Sequence, residues 1–533
     1  MELSECVGGR ALILGMSYSA QSATFSAFAA TAVNHFTVRE KEGIKSMQQQ
    51  SIDYSRKWYV MAAVAMGIFL ATIDGSIVNI ALPTLVRELR TDFAIVQWVV
   101  LAYLMTVTTL TLSVGRLADM LGKKTLYTSG FVVFTIGSLL CGLAPTVDWL
   151  IGFRVLQAIG AAMTMALGTA IVTEAFPAAE RGKAMGIIGA VVSIGIVLGP
   201  ALGGLLIAAL SWHWIFFVNL PVGLIGTLMV ARFVPAITPE GGQRFDSVGA
   251  LTLFVSLISL LLALTLGQQA GFGALPVLLL FATCALFLAV FIRVEWKSRQ
   301  PMIDLRLFAN SLFSINLITG FLTFVAIAGT MVLTPFYLEN MLGYETRMVG
   351  LLLAVVPIAL GVVSPISGVL SDRFSTRSIS VIGLVALLIG YSAVSTLGLH
   401  TTLLGYLLRF LPIGIGMGLF QSPNNSAIMG AAPRERLGVA SGLLSITRTL
   451  GQTVGVAALG AVWASRVGYY AGRAVQGDGT AAPVAAQVAA LQDTVLVIVA
   501  MILLALVLSV WGVMQERHVR DMAGLGANLS EGS

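Results

Sequence analysis

Long apolar runs separated by short polar segments make up most of the chain from residue 58 onward. Each run holds roughly 18 residues or more, which is about the length that a helix needs to cross a hydrocarbon core of about 30 Å. We therefore predict an all-α membrane protein with fourteen transmembrane helices. The predicted spans are residues 58–82, 93–115, 125–145, 149–173, 184–209, 214–231, 248–267, 274–294, 312–338, 349–371, 379–399, 402–429, 438–464 and 494–513.

The composition agrees with a membrane protein. Of the 533 residues, 57% are hydrophobic and 11% are charged, whereas a soluble domain carries about 25% charged residues. The net charge of +6 does not indicate a nucleic-acid partner, because the basic residues lie in short segments between the apolar runs, where they set topology. We expect the lipid bilayer as the surrounding medium and no nucleic acid as a partner.

The basic residues of the connecting segments also predict the orientation. If the N-terminus is cytoplasmic, nineteen of these Lys and Arg residues lie on the cytoplasmic side and five on the outer side. Because cytoplasmic loops are enriched in Lys and Arg, this bias predicts that both termini are cytoplasmic.

Residues 1–56 differ from the rest of the chain. Residues 11–33 are only mildly apolar and rich in Ser, Ala and Thr, so they are too polar for a confident span and could be a weak targeting segment. Met47 begins a polar, basic lead-in to the first span. We predict that residues 1–56 are a disordered extension.

Two parts of the chain repeat one another. Gly115–Asp119 after span 2 resembles Gly368–Asp372 after span 10, at an offset of 253 residues, and Arg154 answers Arg409 at an offset of 255. Five further matches share an offset of 256: Pro177, Ala184, Gly186, Gly195 and Gly199 answer Pro433, Ala440, Gly442, Gly451 and Gly455. Spans 1–6 and 9–14 are therefore predicted to be parallel repeats, as in transporters built from two like halves.

The repeat predicts the domain organisation. Two six-helix bundles would enclose a substrate site at their interface, with spans 7 and 8 as an inserted hairpin. The predicted segments are an N-terminal bundle at 57–232, the inserted helix pair at 233–300, a C-terminal bundle at 301–515 and a cytoplasmic tail at 516–533.

Asp74 is the one charged side chain between Trp58 and Pro83. A carboxylate inside hydrocarbon costs about 2.5–3.5 kcal/mol on insertion scales, so it marks a candidate functional site. The alternative is an Asp that reaches water from a helix end. Asp74 lies about 13 Å from the outer end of its span, and Arg154 lies about 8 Å from the same face in span 4. Arg154 could therefore reach Asp74, or it could extend to the outer interface instead.

Four motifs occur in order along the chain. Span 1 ends in Ile73-Asp74-Gly75-Ser76-Ile77-Val78-Asn79-Ile80-Ala81-Leu82-Pro83, and Gly115-Arg116-Leu117-Ala118-Asp119-Met120-Leu121-Gly122-Lys123-Lys124 follows span 2. Span 4 contains Arg154-Val155-Leu156-Gln157, and span 5 contains Gly195-Ile196-Val197-Leu198-Gly199-Pro200-Ala201-Leu202-Gly203-Gly204. Together they resemble the motifs of the major facilitator superfamily and, within it, of the fourteen-span drug:proton antiporters.

The chain departs from the family pattern at three positions. Ser76 stands where Thr is usual, Met120 where a basic residue is usual, and Ala158 where Gly is usual. The departure at Met120 puts one charge contact of the first loop in doubt, whereas Asp372-Arg373 in the second half keeps it.

The resemblance implies a proton-driven exporter of amphipathic or hydrophobic organic compounds, such as antibiotics or toxic metabolites, in the bacterial cytoplasmic membrane. It would use the proton motive force and no cofactor, would not be an enzyme, and would act as a monomer. Some similar exporters also use a periplasmic adaptor protein. Two other functions stay open at this point: proton-coupled uptake by symport, and a membrane receptor that does not transport.

The resemblance and the buried charges together name three sets of site residues. The candidates for proton coupling or the substrate cavity are Asp74, Asn79, Arg154, Gln157, Arg409 and Arg448, although the last two could instead be structural partners. The candidates for a conformational gate are Gly115, Asp119, Lys123, Lys124, Asp372 and Arg373. The exporter-type motif of span 5, in which small residues let helices approach closely and a proline would kink the span, contributes Gly195, Gly199, Pro200, Gly203 and Gly204.

Overall fold

A computed structural model describes residues 54–91, 93–236, 245–298, 301–303, 305–472 and 482–531. Within these ranges all regular secondary structure is helical, which confirms the predicted all-α class. Nearly the whole predicted N-terminal extension lies outside the described residues.

Fourteen long helices follow one another along the described chain. In order, α1 to α14 are Lys57–Glu88, Phe93–Leu121, Lys123–Gly142, Val147–Ala175, Arg181–Ala209, Asn219–Phe233, Ser247–Ala270, Leu275–Lys297, Ser311–Phe336, Val355–Arg373, Thr376–Val394, Leu403–Ala431, Leu437–Ala471 and Val484–Glu531.

Local sequence explains several helix ends. Gly122 alone separates α2 from α3, at a φ of +97°, a conformation that glycine adopts without steric cost. Asp246, Asn310 and Thr402 cap the starts of α7, α9 and α12 by accepting backbone N–H bonds, as short polar side chains do at helix N-termini.

Two predicted spans are interrupted. The run at 214–231 is split into a short turn of helix, Trp214–Phe217, and α6. The run at 349–371 is split into Thr346–Leu353 and α10. Pro221 and Pro357 lie four residues beyond Phe217 and Leu353 and have no N–H for those carbonyls, so each break follows from a missing helical hydrogen bond.

By length and composition, 13 helices of the described residues could cross a membrane. The predicted number of spans, fourteen, is larger by one because α13 is not among these 13 helices. Its 35 residues are long enough, but Ser, Thr, Gln and Arg448 interrupt its apolar positions.

Most contacts of α1 to α6 are made among themselves: α1 packs on α4, α5 and α6, and α3 packs on α4 and α6. In the second half, α9 packs on α13 and α14, while α12 packs on α10 and α11. The halves meet where α5 packs on α10 and α12, and where α13 packs on α2 and α4.

The helix pair α7 and α8 pack on each other beside this junction. Only α7 of the pair packs closely on other long helices, and these are α2 and α13. Most of α8 is exposed: in its most apolar stretch 11% of the residues are buried. An exposed apolar helix is suited to lipid contact.

Candidate functional site

Asp74 lies at the centre of a buried hydrogen-bonded cluster in the first half. Its side chain is completely buried. Arg154 Nη1 donates to Asp74 Oδ2 over 2.6 Å, and Gln157 Nε2 donates to Asp74 Oδ1 over 2.9 Å. The structure thus brings together three of the predicted site residues, and the guanidinium reaches the carboxylate as the depths of the two residues along their helices suggested.

Arg154 has acceptors besides the carboxylate. Its Nε donates to the Val99 carbonyl over 3.0 Å, and its Nη1 also donates to Gln157 Oε1 over 2.7 Å. The ring of Tyr103 lies 4.0 Å from the guanidinium carbon, within cation–π distance. A cation held by this many groups can keep its place if Asp74 becomes neutral.

Sequence reasoning alone does not single out two polar partners of this cluster. Asn219 Nδ2 donates to Asp74 Oδ1 over 3.0 Å, and Gln157 Nε2 donates to Ser138 Oγ over 2.7 Å. Both partners are buried. The available signal was a polar residue inside an apolar stretch, but the rotation of α3 and α6 about their axes decides whether such a residue faces the acid.

Asn79 and Arg409 lie apart from this cluster. Asn79 is exposed and donates to the Gly75 carbonyl of its own helix over 3.2 Å. Arg409 donates to the Ala393 carbonyl over 3.2 Å and to the Gly405 carbonyl over 2.9 Å. Arg409 therefore ties α12 to the end of α11, in keeping with a structural partner.

The first loop motif joins the two halves. Asp119 at the end of α2 accepts from the backbone N–H groups of Gly438, over 2.9 Å, and Val439, over 3.1 Å, at the start of α13. Lys123 bridges Asp119 and Glu174, at 3.1 and 2.8 Å. A carboxylate at a helix N-terminus satisfies free N–H groups and the helix dipole together.

The second copy of the motif makes the equivalent contact with the roles of the halves exchanged: the carboxylate is in the second half and the N–H groups are in the first. Asp372 at the end of α10 accepts from Gly182 N over 2.7 Å and from Lys183 N over 2.8 Å, at the start of α5. Gly182 and Gly438 are themselves separated by 256 residues, the offset of the repeat. That offset was the signal by which sequence could have found them.

Glycines at these contacts allow the helices of the two halves to approach each other closely. A Cβ on Gly115 would lie 2.5 Å from the Gly438 carbonyl oxygen, and a Cβ on Gly182 would lie 2.5 Å from the Gly368 carbonyl oxygen. Two other predicted gate residues are less enclosed: Lys124 is half-buried and Arg373 is exposed.

Three glycines of the exporter-type motif bring α5 against α1. A Cβ on Gly195 would lie 3.0 Å from Thr72 Cβ, one on Gly199 would meet Ser76, and one on Gly203 would lie 2.8 Å from Ile77 Cγ1. Gly204 faces open space. Pro200 is exposed, and α5 continues through it to Ala209.

A cavity lies between α5 of the first half and α9, α10, α12 and α13 of the second. The space between its lining residues, open solvent included, is about 800 Å³. Its wall is mainly apolar and includes Arg448. Asp74 is not part of the wall; α5 contacts α1 beside Asp74 and also lines the cavity.

A family model described as Major Facilitator Superfamily matches residues 64–456. The chain belongs to the Major Facilitator Superfamily. As a superfamily member with many helices able to span a membrane, it is a multi-pass membrane transporter rather than an enzyme.

Relatives and solved structures agree with this assignment. The chain is 36% identical to the riboflavin transporter RibZ of Clostridioides difficile over 78% of this chain and 90% of the relative. It is 32% identical to the multidrug transporter protein MdtP of Bacillus subtilis, over 78% and 76%. Its fold is similar to the crystal structure of the human organic anion transporter MFSD10, with a TM-score of 0.60, 15% identity and coverage of 85% and 99%.

The packing of α1 on α5 in this superfamily member gives a first prediction. Gly199→Val should lower the thermal unfolding midpoint of the purified protein and reduce transport, because the new side chain must displace Ser76 or separate the helices, at about 1–3 kcal/mol. Gly204→Val is the matched control on the same helix. Equal midpoints for the two variants would contradict the packing role of Gly199.

Proposed function

We propose that this transporter is a proton-driven exporter of amphipathic or hydrophobic organic compounds, of the fourteen-span drug:proton antiporter type. Fourteen spans require that α13 crosses the bilayer despite its polar residues. We also propose that the chain forms two six-helix bundles with an inserted helix pair. The protein would lie in the bacterial cytoplasmic membrane with both termini in the cytoplasm. The names of the two relatives, a multidrug and a riboflavin transporter, favour small organic cargo.

The buried contact between Asp74 and Arg154 carries the proposal. An ionisable pair inside a membrane bundle is expensive and marks proton or ion pathways. Asp74 accepts hydrogen bonds from Arg154, Gln157 and Asn219, all of which suit the ionised form. On protonation the Arg154 guanidinium would keep the Val99 carbonyl and Gln157 Oε1, so Asp74 could change charge without the loss of every Arg154 contact.

The burial of Asp74 supports alternating access. The acid is closed to solvent in this conformation, so a proton reaches it only when the surrounding helices move. Asp119 and Asp372 hold the ends of α2, α5, α10 and α13 together, and the proposed orientation puts these ends on the cytoplasmic side. The conformation described would then be the one closed toward the cytoplasm.

Coupling would pass through α5. This helix contacts α1 through Gly195 and Gly199 and lines the cavity with Val192 and Ile196. Protonation of Asp74 would change which packing of α1 on α5 is favoured, and so bias the equilibrium between cavity conformations. Cargo and proton need not compete for one carboxylate.

Inside-out membrane vesicles test the direction and the driving force. With an acidic lumen, vesicles that contain the protein should accumulate members of a panel of fluorescent dyes of both charges, and a protonophore should abolish the accumulation. Vesicles without the protein are the control. Proton-dependent release instead of accumulation would indicate uptake by symport, and the absence of both would indicate a protein that does not transport.

A further inference from the structure

Arg448 is the one charged side chain among the described residues that line the cavity. Its guanidinium carbon lies 5.3 Å from the centre of the Phe324 ring. Among the described residues it has no carboxylate partner and no hydrogen-bond acceptor, in contrast to Arg154 and Arg409. Its five N–H donors are therefore available to a molecule in the cavity.

Two neutral side chains beside Arg448 are also available. Gln421 is buried on α12, and Gln452 lies one turn beyond Arg448 on α13. Residues four apart share a helix face, so Arg448 and Gln452 approach the cavity together. Among the described contacts neither glutamine side chain has a hydrogen-bond partner. By contrast, the Thr330 and Thr334 hydroxyls donate to carbonyls of their own helix, over 2.9 and 2.6 Å.

Most of the rest of the wall is apolar or aromatic, including Phe324, Met331, Phe410 and Met417. Such a wall holds a ring system or hydrocarbon body, and a few placed polar groups orient it. No Asp or Glu lies among the described lining residues, so a cationic cargo would meet only a like charge. Arg448 is half-buried. A cation partly withdrawn from water without a partner is unfavourable, and a bound anion would relieve this cost.

We propose that the cavity binds amphipathic organic anions, with the acidic group of the cargo on Arg448 and its apolar body against Phe324 and Met331. Guanidinium pairs with carboxylate, sulfonate or phosphate through two parallel N–H bonds. Gln421 and Gln452 would bind further oxygen or nitrogen atoms of the same molecule. This proposal depends on the proposed function only in that the cavity is taken as the cargo site.

Two xanthene dyes of opposite charge and similar shape test the proposal: fluorescein, an anion, and rhodamine 123, a cation. Binding to the purified, detergent-solubilised protein is followed by fluorescence anisotropy at a fixed alkaline pH. The wild-type protein should bind fluorescein more tightly. Arg448→Gln should weaken fluorescein binding about tenfold or more, as expected for loss of a charge-assisted bond, and leave rhodamine 123 unchanged or tighter.

Further variants keep the test informative. Arg448→Lys, which retains the charge but not the paired N–H geometry, should give an intermediate affinity, and size-exclusion chromatography reports folding of each variant. The matched control is Arg466→Gln. Arg466 lies on α13, as Arg448 does, but it is partly exposed and pairs with Asp493. This variant should bind both dyes as the wild type does. Equal binding of the two dyes by the wild type, tighter binding of rhodamine 123, or binding of neither overturns the proposal.

The same measurement separates this proposal from the proposed function. Dye binding at fixed pH needs no proton gradient. Loss of gradient-driven accumulation with the fluorescein preference intact would disprove proton-driven export but leave the anion site standing. Proton-driven accumulation of rhodamine 123 but not of fluorescein would support proton-driven export and refute the proposed anion site.

Discussion

Asp74→Asn is expected to reduce cargo-dependent proton flux to the level of protein-free liposomes, while the protein still inserts in the membrane. Asparagine has nearly the shape of aspartate and retains an acceptor for Gln157 and Asn219, but it cannot bind and release a proton. The measurement is the internal pH of proteoliposomes, reported by an enclosed dye, after cargo is added.

The stability of the same variant separates coupling from folding. Loss of one member of a buried ion pair costs about 3–5 kcal/mol, because the other charge stays buried without its partner. The Val99 carbonyl and Gln157 Oε1 still accept from Arg154, so we expect the lower end of that range. The double variant Asp74→Asn/Arg154→Gln removes both charges and should recover much of the thermal midpoint, but no proton flux.

The matched control is Asp148→Asn. Asp148 is an exposed acid in the first turn of α4, the helix that carries Arg154. Its neutralisation should leave both the thermal midpoint and the proton flux near those of the wild type. Undiminished cargo-dependent proton flux in Asp74→Asn would refute the assignment of Asp74 as the coupling group.

The contact of Asp74 with Arg154 could be anticipated because the rise of a helix is fixed. Counting residues from the span ends placed both side chains at similar depth, and Arg154 is long. The hydrogen bond from Asn219 to Asp74 could not be anticipated in the same way. It depends on the break before α6 and on the rotation of that helix, and tertiary packing sets both.

Arg409 shows where the internal repeat misleads. It occupies the position of Arg154 in the second half, yet it bonds carbonyls at a helix end. The reason can be read from α9: its residues 327–330, which correspond to Asp74 at offsets of 253–256, are Ile327, Ala328, Gly329 and Thr330. Without an acid at this position, the described residues of the second half show no buried ion pair to match that of Asp74 and Arg154. The repeat says nothing about Arg448, because the residue 256 positions before it is Val192. The position of Arg448 in the cavity wall depends on the packing of the helices.

The two loop motifs lead to the second prediction of large effect. Asp119→Ala and Asp372→Ala each remove a carboxylate that accepts two backbone N–H bonds from a helix of the other half. One charge-assisted bond contributes about 1.5–3 kcal/mol, so each variant should favour opening of this end about tenfold or more. Because the contacts lie on separate helix pairs, α2 with α13 and α10 with α5, the effects should add to roughly a hundredfold in the double variant.

Alkylation of a buried cysteine measures this opening. Ser441 on α13 is completely buried, where its hydroxyl bonds that of Thr169 on α4 across the two halves. In a background without native cysteines, Ser441→Cys should react slowly with a maleimide that cannot cross membranes, faster in each Ala variant and fastest in the double variant. Arg373 is a predicted gate residue, but it is exposed and, among the described contacts, has no hydrogen bond to the other half. Arg373→Ala should therefore leave the rate unchanged. If the double variant reacts no faster than the parent, these carboxylates do not hold the two halves together, and the closed end must be attributed to other contacts between the halves, such as those of the glycines and of Ser441.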